Sequence, residues 1–255
     1  MPWTFAHPAA VLPLRRFGAS RLPLSGLVAG SLAPDFGYYA GLFDLATRAH
    51  TPVGVLLFCL PPAFLLVLFL HRFRRHLVAP LPDPHRTLLD DVSVLSLRSP
   101  ENMAGMVVAI LIGAFTHVAW DAFTHANGAM VQAGAPLREP LFVFAGRTYA
   151  VYNILQHAST LLGLIAMAVA YGRWLHRSVQ AGHARRGKPG DYVPLAMAGM
   201  VSGLLGLVIA RLTLGSGRAH EVVIVRGVID ATLVFIAAYG VLVLRAASRR
   251  ANRGP

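Results

Sequence analysis

The sequence predicts an all-α fold: a polytopic membrane helix bundle of about five transmembrane helices, preceded by an N-terminal interfacial or re-entrant helical hairpin. Three observations carry that reading. Of the 255 residues, 55% are hydrophobic and 13% are charged, whereas a soluble domain carries about 25% charged residues. The mean hydropathy is +0.57. Five separate apolar runs approach the length of about 20 residues that one bilayer crossing needs.

The elements follow in order. Residues 8–17 and 21–33 are apolar but too short to cross alone, so they are expected to form a helical hairpin lying on, or dipping into, one membrane face. Met1 to Leu14 is apolar before Arg15-Arg16, the reverse of a signal peptide's order, and is read as part of the mature protein. The spans run roughly Pro52–Leu70, Met103–Trp120, Leu155–Leu175, Val193–Leu214 and Val222–Leu244. Pro61-Pro62 removes two backbone donors from the first, which predicts a kink. There is no internal repeat, heptad pattern or low-complexity tract. A single membrane-embedded domain over residues 1–247 fits the length, with residues 248–255 a basic, disordered tail.

A net charge of +12 invites comparison with nucleic-acid binders. The basic residues are scattered between apolar segments, however, with no stacking platform or reading helix, which argues against that class. They read as loop charges that orient the spans. Residues 71–98, 173–188 and the C-terminus carry the larger share, which puts the C-terminus in the cytoplasm and the N-terminus outside. Cys59, the only cysteine, lies in an apolar run. Intrachain disulfides and thiolate metal sites are thereby excluded, and a metal would be held by histidine and carboxylate.

The segment from His117 through Asp121 to His125 is the most informative. It sets His, Asp and His four residues apart at the end of a span, roughly on one helical face. Ionisable groups at membrane depth are costly and normally face a bundle interior or a wet cavity. The predicted topology collects His7, His50, His117, His125, His157 and His220 near the outer face, together with Asp35 and Asp121. The inner face holds His71, His76, His85, His176 and His183 without a comparable carboxylate pattern. Neutral imidazole and carboxylate suit Zn²⁺, Mn²⁺ or Fe²⁺, with zinc the first expectation, and a bound divalent cation lowers the pKa of water toward about 7.

Each residue also has an ordinary reading. His117 with Asp121 makes an intrahelical hydrogen-bonded pair, and His125 and His50 are loop residues. His7 belongs to an interfacial anchor, and Asp35 after Pro34 is a helix N-cap. His157 is the weakest candidate ligand. Arg226 and Asp230, four apart in the fifth span, form an internal ion pair, or else Arg226 receives an anionic group of the substrate. No phosphate-binding Gly-rich loop and no Ser nucleophile elbow occur.

Three blocks carry a family resemblance: Met1-Pro2-Trp3-Thr4-Phe5-Ala6-His7-Pro8-Ala9-Ala10, Gly30-Ser31-Leu32-Ala33-Pro34-Asp35-Phe36, and His117 to His125. Together they resemble an uncharacterised bacterial integral-membrane family, domain of unknown function 4184, over most of the chain to about residue 245. More distantly the pattern is similar to bacterial membrane-bound metal-dependent hydrolases. In order and residue type only, it resembles the zinc-dependent phospholipase C and nuclease superfamily. That resemblance implies His7, Asp35, His50, His117, Asp121 and His125 as metal ligands, with Asp121 bridging. The superfamily's later His-x-x-x-Glu would need an acid at position 161, where Leu161 stands, so it implies one or two metals rather than three.

The function expected is therefore a membrane-bound, metal-dependent hydrolase of the bacterial cytoplasmic membrane, with its site at the outer face. Its substrate would be a phosphoester or ester of a lipid-like molecule, and Asp121 or Asp35 would hold metal or act as base. Its partners would be membrane lipids and not nucleic acid. Two alternatives stay open: a structural protein of the envelope, and a proton- or cation-coupled transporter. Clustering of polar groups at one end and the lack of an inverted repeat weigh against transport.

Overall fold

The computed structural model describes residues 3–14, 22–91, 99–144, 146–214 and 220–251. The connection expected inside the N-terminal hairpin, with Arg15, Arg16 and Arg21, and residues 252–255 of the tail lie outside the described residues. The helices in chain order are α1 (Pro8–Val11), α2 (Leu24–Leu32), α3 (Phe36–Tyr39), α4 (Phe43–Ala49), α5 (Pro52–Leu77), α6 (His85–Asp90) and α7 (Pro100–Thr124). Then come α8 (Ala129–Ala133), α9 (Ala135–Arg138), strands β1 (Pro140–Phe144) and β2 (Arg147–Ala150), α10 (Val151–Gln180), α11 (Val193–Leu214) and α12 (His220–Ala251).

The five helices α5, α7, α10, α11 and α12 are long and apolar enough to cross a bilayer, the mark of an integral membrane protein. Most outrun the apolar segments read from sequence: α5 continues through Arg72, Arg74 and Arg75 to Leu77. Helical hydrogen bonding does not stop where the hydrocarbon does. Helix α12 likewise continues to Ala251, past Ser248. At the prolines of α5, residues Val55–Cys59 form a π-helical turn, with Leu60 N donating to Val55 O. Pro61 and Pro62 cannot donate to the carbonyls one turn back, and a wider turn is the usual accommodation.

The chain divides into two compact units, Met1–Leu68 with Leu95–Tyr171, and Phe69–Val94 with Gly172–Pro255. In the first, α7 presents one continuous buried stripe: Met106, Ile110, Gly113, His117, Asp121 and Thr124. The steps of three and four residues keep these side chains on one face. The apolar upper part of that stripe packs on α2, and the backbones nearly touch. A Cβ on Gly30 would lie 2.0 Å from Ile110 O, and one on Gly113 would lie 2.2 Å from Leu27 O. Small residues permit this approach, the usual device for packing helices in lipid. Helix α2 therefore dips to the middle of the second span instead of lying on its surface. Ala33, Ala49, Val55, Cys59, Ala63, Val67 and Ala114 extend the same core.

In the second unit α11 and α12 pack closely at Gly206, where a Cβ would lie 2.4 Å from Ala231 N. Tyr239 Oη donates to Leu77 O at 2.5 Å, and Tyr192 Oη to Asp83 O at 3.1 Å.

Two local features depart from the sequence reading. Helix α7 ends at Thr124, and His125 is its C-cap in extended backbone (φ −114°, ψ 143°), so His125 does not continue the helical face of His117 and Asp121. Between α9 and α10, β1 and β2 pair antiparallel where only loop was expected, with Phe142 opposite Tyr149 and Phe144 opposite Arg147.

Candidate metal centre

Four short stretches deliver the site, each by a local feature of its sequence. At the N-terminus Thr4–Ala6 form a 3-10 turn and Pro8 starts α1, where its missing N–H costs nothing. This sets His7 inward, 4% exposed. Trp3 N donates to Thr160 Oγ1 at 3.1 Å, and Gly163 of α10 lets the Ala6 backbone approach, holding the segment in place. After α2, Pro34 breaks the helical pattern and Ala33–Asp35 turn as a 3-10 segment, leaving Asp35 fully buried. His50 caps the end of α4, and α7 supplies His117 and Asp121 from its buried stripe.

The side chains converge. His117 Nε2 lies 3.3 Å from Asp121 Oδ2 and 3.6 Å from Asp35 Oδ1. His50 Nε2 lies 3.4 Å from Asp121 Oδ2 and 3.5 Å from Asp35 Oδ1. On the other oxygen of Asp121, His7 Nε2 lies at 3.6 Å and His125 Nδ1 at 3.3 Å. Two triplets, His7–His117–Asp121 and Asp35–His50–His117, each bring their ligand atoms within 4.8 Å of one another. The His7 and His117 rings stack with centroids 3.6 Å apart.

Outer contacts fix which atom of His117, His50 and Asp35 faces the centre. His117 Nδ1 meets Ser31 O at 2.7 Å and His50 Nδ1 meets Ala46 O at 2.7 Å. A carbonyl can only accept, so both Nδ1 atoms carry hydrogen, and in the neutral ring Nε2 keeps its lone pair. Thr4 Oγ1 donates to Asp35 Oδ2 at 2.6 Å and Tyr39 Oη donates to Thr4 Oγ1 at 3.1 Å. Oδ1 is thus the oxygen left for the centre. Asp35 precedes α3 but makes no cap bond, and His7 is buried rather than interfacial. Outer contacts of this kind are what orient metal ligands.

The polar accounting tests whether a cation fits. His7 Nε2, Asp35 Oδ1, His117 Nε2, Asp121 Oδ1 and His125 Nε2 are all buried with no hydrogen-bond partner. One such orphan costs about 1–3 kcal/mol, so five together rival the roughly 5–15 kcal/mol stability of a whole domain. Four of them sit on residues of the two triplets, and nitrogen and oxygen atoms grouped so are what a divalent cation satisfies; His125 Nε2 lies outside both. Ligands about 2.1 Å from a tetrahedral ion lie about 3.4 Å apart, and the five N···O separations among His7, Asp35, His50, His117 and Asp121, 3.3 to 3.6 Å, bracket that edge. The buried His and Asp groups could hold a metal ion.

The electrostatics outside the spans agree. Burial, with His117 alongside, pushes His7 down to about 3, so it stays neutral. Burial alone would raise Asp35, but His117, His50 and Thr4 outweigh it and hold the carboxyl below its usual range. Burial would lower His50, yet Asp121 and Asp35 raise it to about 9. A folded-state value above the ordinary one means that His50 is protonated at pH 7.5 in metal-free protein, and a ligating His50 must shed that proton. Zinc addition at pH 7.5 is expected to release at least one proton per ion, read by pH-stat. Apparent affinity should rise with pH up to about 9 and flatten above it.

Of the other expected participants, His157 is exposed and outside both triplets. The side chain of His220 lies outside what is described. Arg226 belongs to the second unit, where its Nε donates to both Asp230 oxygens at 3.0 and 2.9 Å, the geometry of the intrahelical ion pair. Thr4, Tyr39 and the carbonyls of Ser31 and Ala46 were not anticipated. Only Thr4 carried a hint, through its place in the N-terminal block.

A family model described as Domain of unknown function (DUF4184) matches residues 1–245. No curated protein and no solved structure matches the chain.

Proposed function

The chain belongs to the DUF4184 family, and we propose that it is a membrane-bound, metal-dependent hydrolase whose centre is formed by His7, Asp35, His50, His117, Asp121 and His125. The observation that supports this most is that His7, His117 and Asp121, and Asp35, His50 and His117, form two largely buried triplets whose ligand atoms lie within 4.8 Å of one another, with His7 Nε2, Asp35 Oδ1, His117 Nε2 and Asp121 Oδ1 lacking any hydrogen-bond partner. A divalent cation, zinc first by donor type, supplies Lewis acidity and lowers the pKa of water toward about 7 when bound. The protein's own part is to orient ligands through Ser31, Ala46 and Thr4, and to exclude water from the far side.

Among these side chains, the cluster is least buried at His50 and His125. The His50 and His125 side chains are each 19% exposed, against 0% for His117 and Asp35. Substrate and water approach there, and Asp121, 9% exposed and 3.4 Å from His50 and 3.3 Å from His125, is the carboxylate that accepts a proton. The substrate class is an ester or phosphoester of a lipid-like molecule, met at the outer membrane face if the basic loops are cytoplasmic.

The test is turnover of long-chain phosphodiesters and carboxylic esters by protein in nanodiscs, with zinc or manganese supplied. Asp35→Asn and His50→Ala should each lower the rate by at least about 100-fold, the scale of lost acid–base or metal assistance. Rates that survive both substitutions unchanged would overturn the hydrolase reading.

A further inference from the structure

The β1–β2 hairpin plays no part in the metal centre, and its composition is peculiar for a loop. Leu141, Phe142, Val143 and Phe144 are 52, 49, 69 and 68% exposed. All five residues of β1 are exposed, so neither face of this strand is covered. Four large apolar side chains in a row on a soluble surface would be an aggregation hazard. They are cheap where lipid or another apolar surface covers them.

Three further observations name lipid as that occupant. First, the hairpin is joined without a linker to a span: β2 ends at Ala150, α10 begins at Val151, and Ala150 N donates to Asn153 Oδ1 in the first turn of that helix. The hairpin therefore stands at the bilayer boundary. Second, an isolated two-stranded ribbon keeps one unpaired backbone edge on each strand. Such edges are not tolerated in hydrocarbon, which sets a shallow depth. Third, basic groups flank the apolar row. Arg138 precedes it, and Arg147 lies at the tip with its guanidinium 5.4 Å from the Tyr149 ring centre. Phe142 stacks on Tyr149 at 5.2 Å, so aromatic rings and an arginine share one face. Aromatic rings and arginines together mark the head-group layer.

We propose that this hairpin is a lipid-interface finger: Leu141 to Phe144 insert among the glycerol and upper acyl groups, while Arg138 and Arg147 meet lipid phosphates. A second copy of the chain is the competing occupant. The inference depends on membrane insertion and not on hydrolysis, so it stands or falls apart from the catalytic reading.

Val143→Cys, an exposed position, is labelled with the NBD fluorophore and reconstituted into vesicles of phosphatidylcholine and phosphatidylglycerol. Cys59 is buried, and the unsubstituted chain is the labelling control. The expected result is emission blue-shifted from NBD-cysteine in water, protection from iodide, and stronger quenching by shallow than by deep nitroxide lipids. Phe142→Ser with Phe144→Ser should reverse the shift while metal content stays unchanged. Emission and iodide quenching equal to the aqueous reference would overturn the proposal. Self-quenching that scales with protein-to-lipid ratio, without nitroxide-lipid quenching, would also overturn it and assign the finger to a second copy.

Discussion

Elemental analysis of detergent-purified protein is expected to find divalent metal in stoichiometric amount, and His117→Ala or Asp121→Ala is expected to remove it. His117 and Asp121 are the sharpest choices because each contacts several partners in the centre: His117 Nε2 faces both carboxylates, and Asp121 offers one oxygen to His50 and His117 and the other to His7 and His125. Loss of an outer-shell partner costs about 10–100-fold in metal affinity, and loss of a direct ligand should exceed that. A fold check belongs beside it, since His117→Ala also deletes the bond to Ser31 O. Asp121→Asn serves that purpose, keeping the shape while removing the charge. A folded wild-type protein that stays free of metal through purification and after zinc addition would end the proposal.

The second large effect concerns packing. Gly30→Val or Gly113→Val should destabilise the protein by about 3 kcal/mol or more, at or beyond the usual cost of overpacking. In each case the added Cβ meets backbone, 2.0 Å from Ile110 O or 2.2 Å from Leu27 O, and backbone cannot swing aside as a side-chain tip does. Gly199→Val is the control: it sits in α11 with nothing within 4 Å of its Cβ position. Thermal unfolding in detergent reads the difference. The same two variants should lose metal, because α2 carries Ser31, which orients His117. Equal melting temperatures for Gly30→Val and Gly199→Val would refute the close approach of α2 and α7.

Both effects bear on how much the chain disclosed before its coordinates. The spans were legible because apolar length is a one-dimensional property: Pro52 onward and Val193 onward read as crossings without knowledge of any neighbour. Predicted topology places His7, Asp35, His50, His117, Asp121 and His125 near one face together with His157 and His220, and only the family resemblance singles those six out. The structure draws five of them into the two triplets, with His125 in neither. What was lost is informative. His125 was assigned to the helix because the i, i+4, i+8 spacing is regular, whereas the helix ends at Thr124 just before Asn127-Gly128, a turn signal that outweighs the spacing. Leu141-Phe142-Val143-Phe144 before Gly146 has a hairpin's composition, but its place between two spans gives it the reading of a loop. Ser31 O and Ala46 O left no trace, because every residue carries a carbonyl and only the fold decides which one is free.

The contact between His117 Nδ1 and Ser31 O joins residues 86 positions apart, and this sets an order on biosynthesis. Helix α2 is made well before α7 emerges from the ribosome. Through that interval its glycine face has no mate, and it is too short to be held in the bilayer as a crossing. The glycine face of the N-terminal segment therefore reaches its final packing only once the second crossing has been made. A chain cut before residue 100 would leave the Gly26 and Gly30 face of α2 without the α7 surface it packs on.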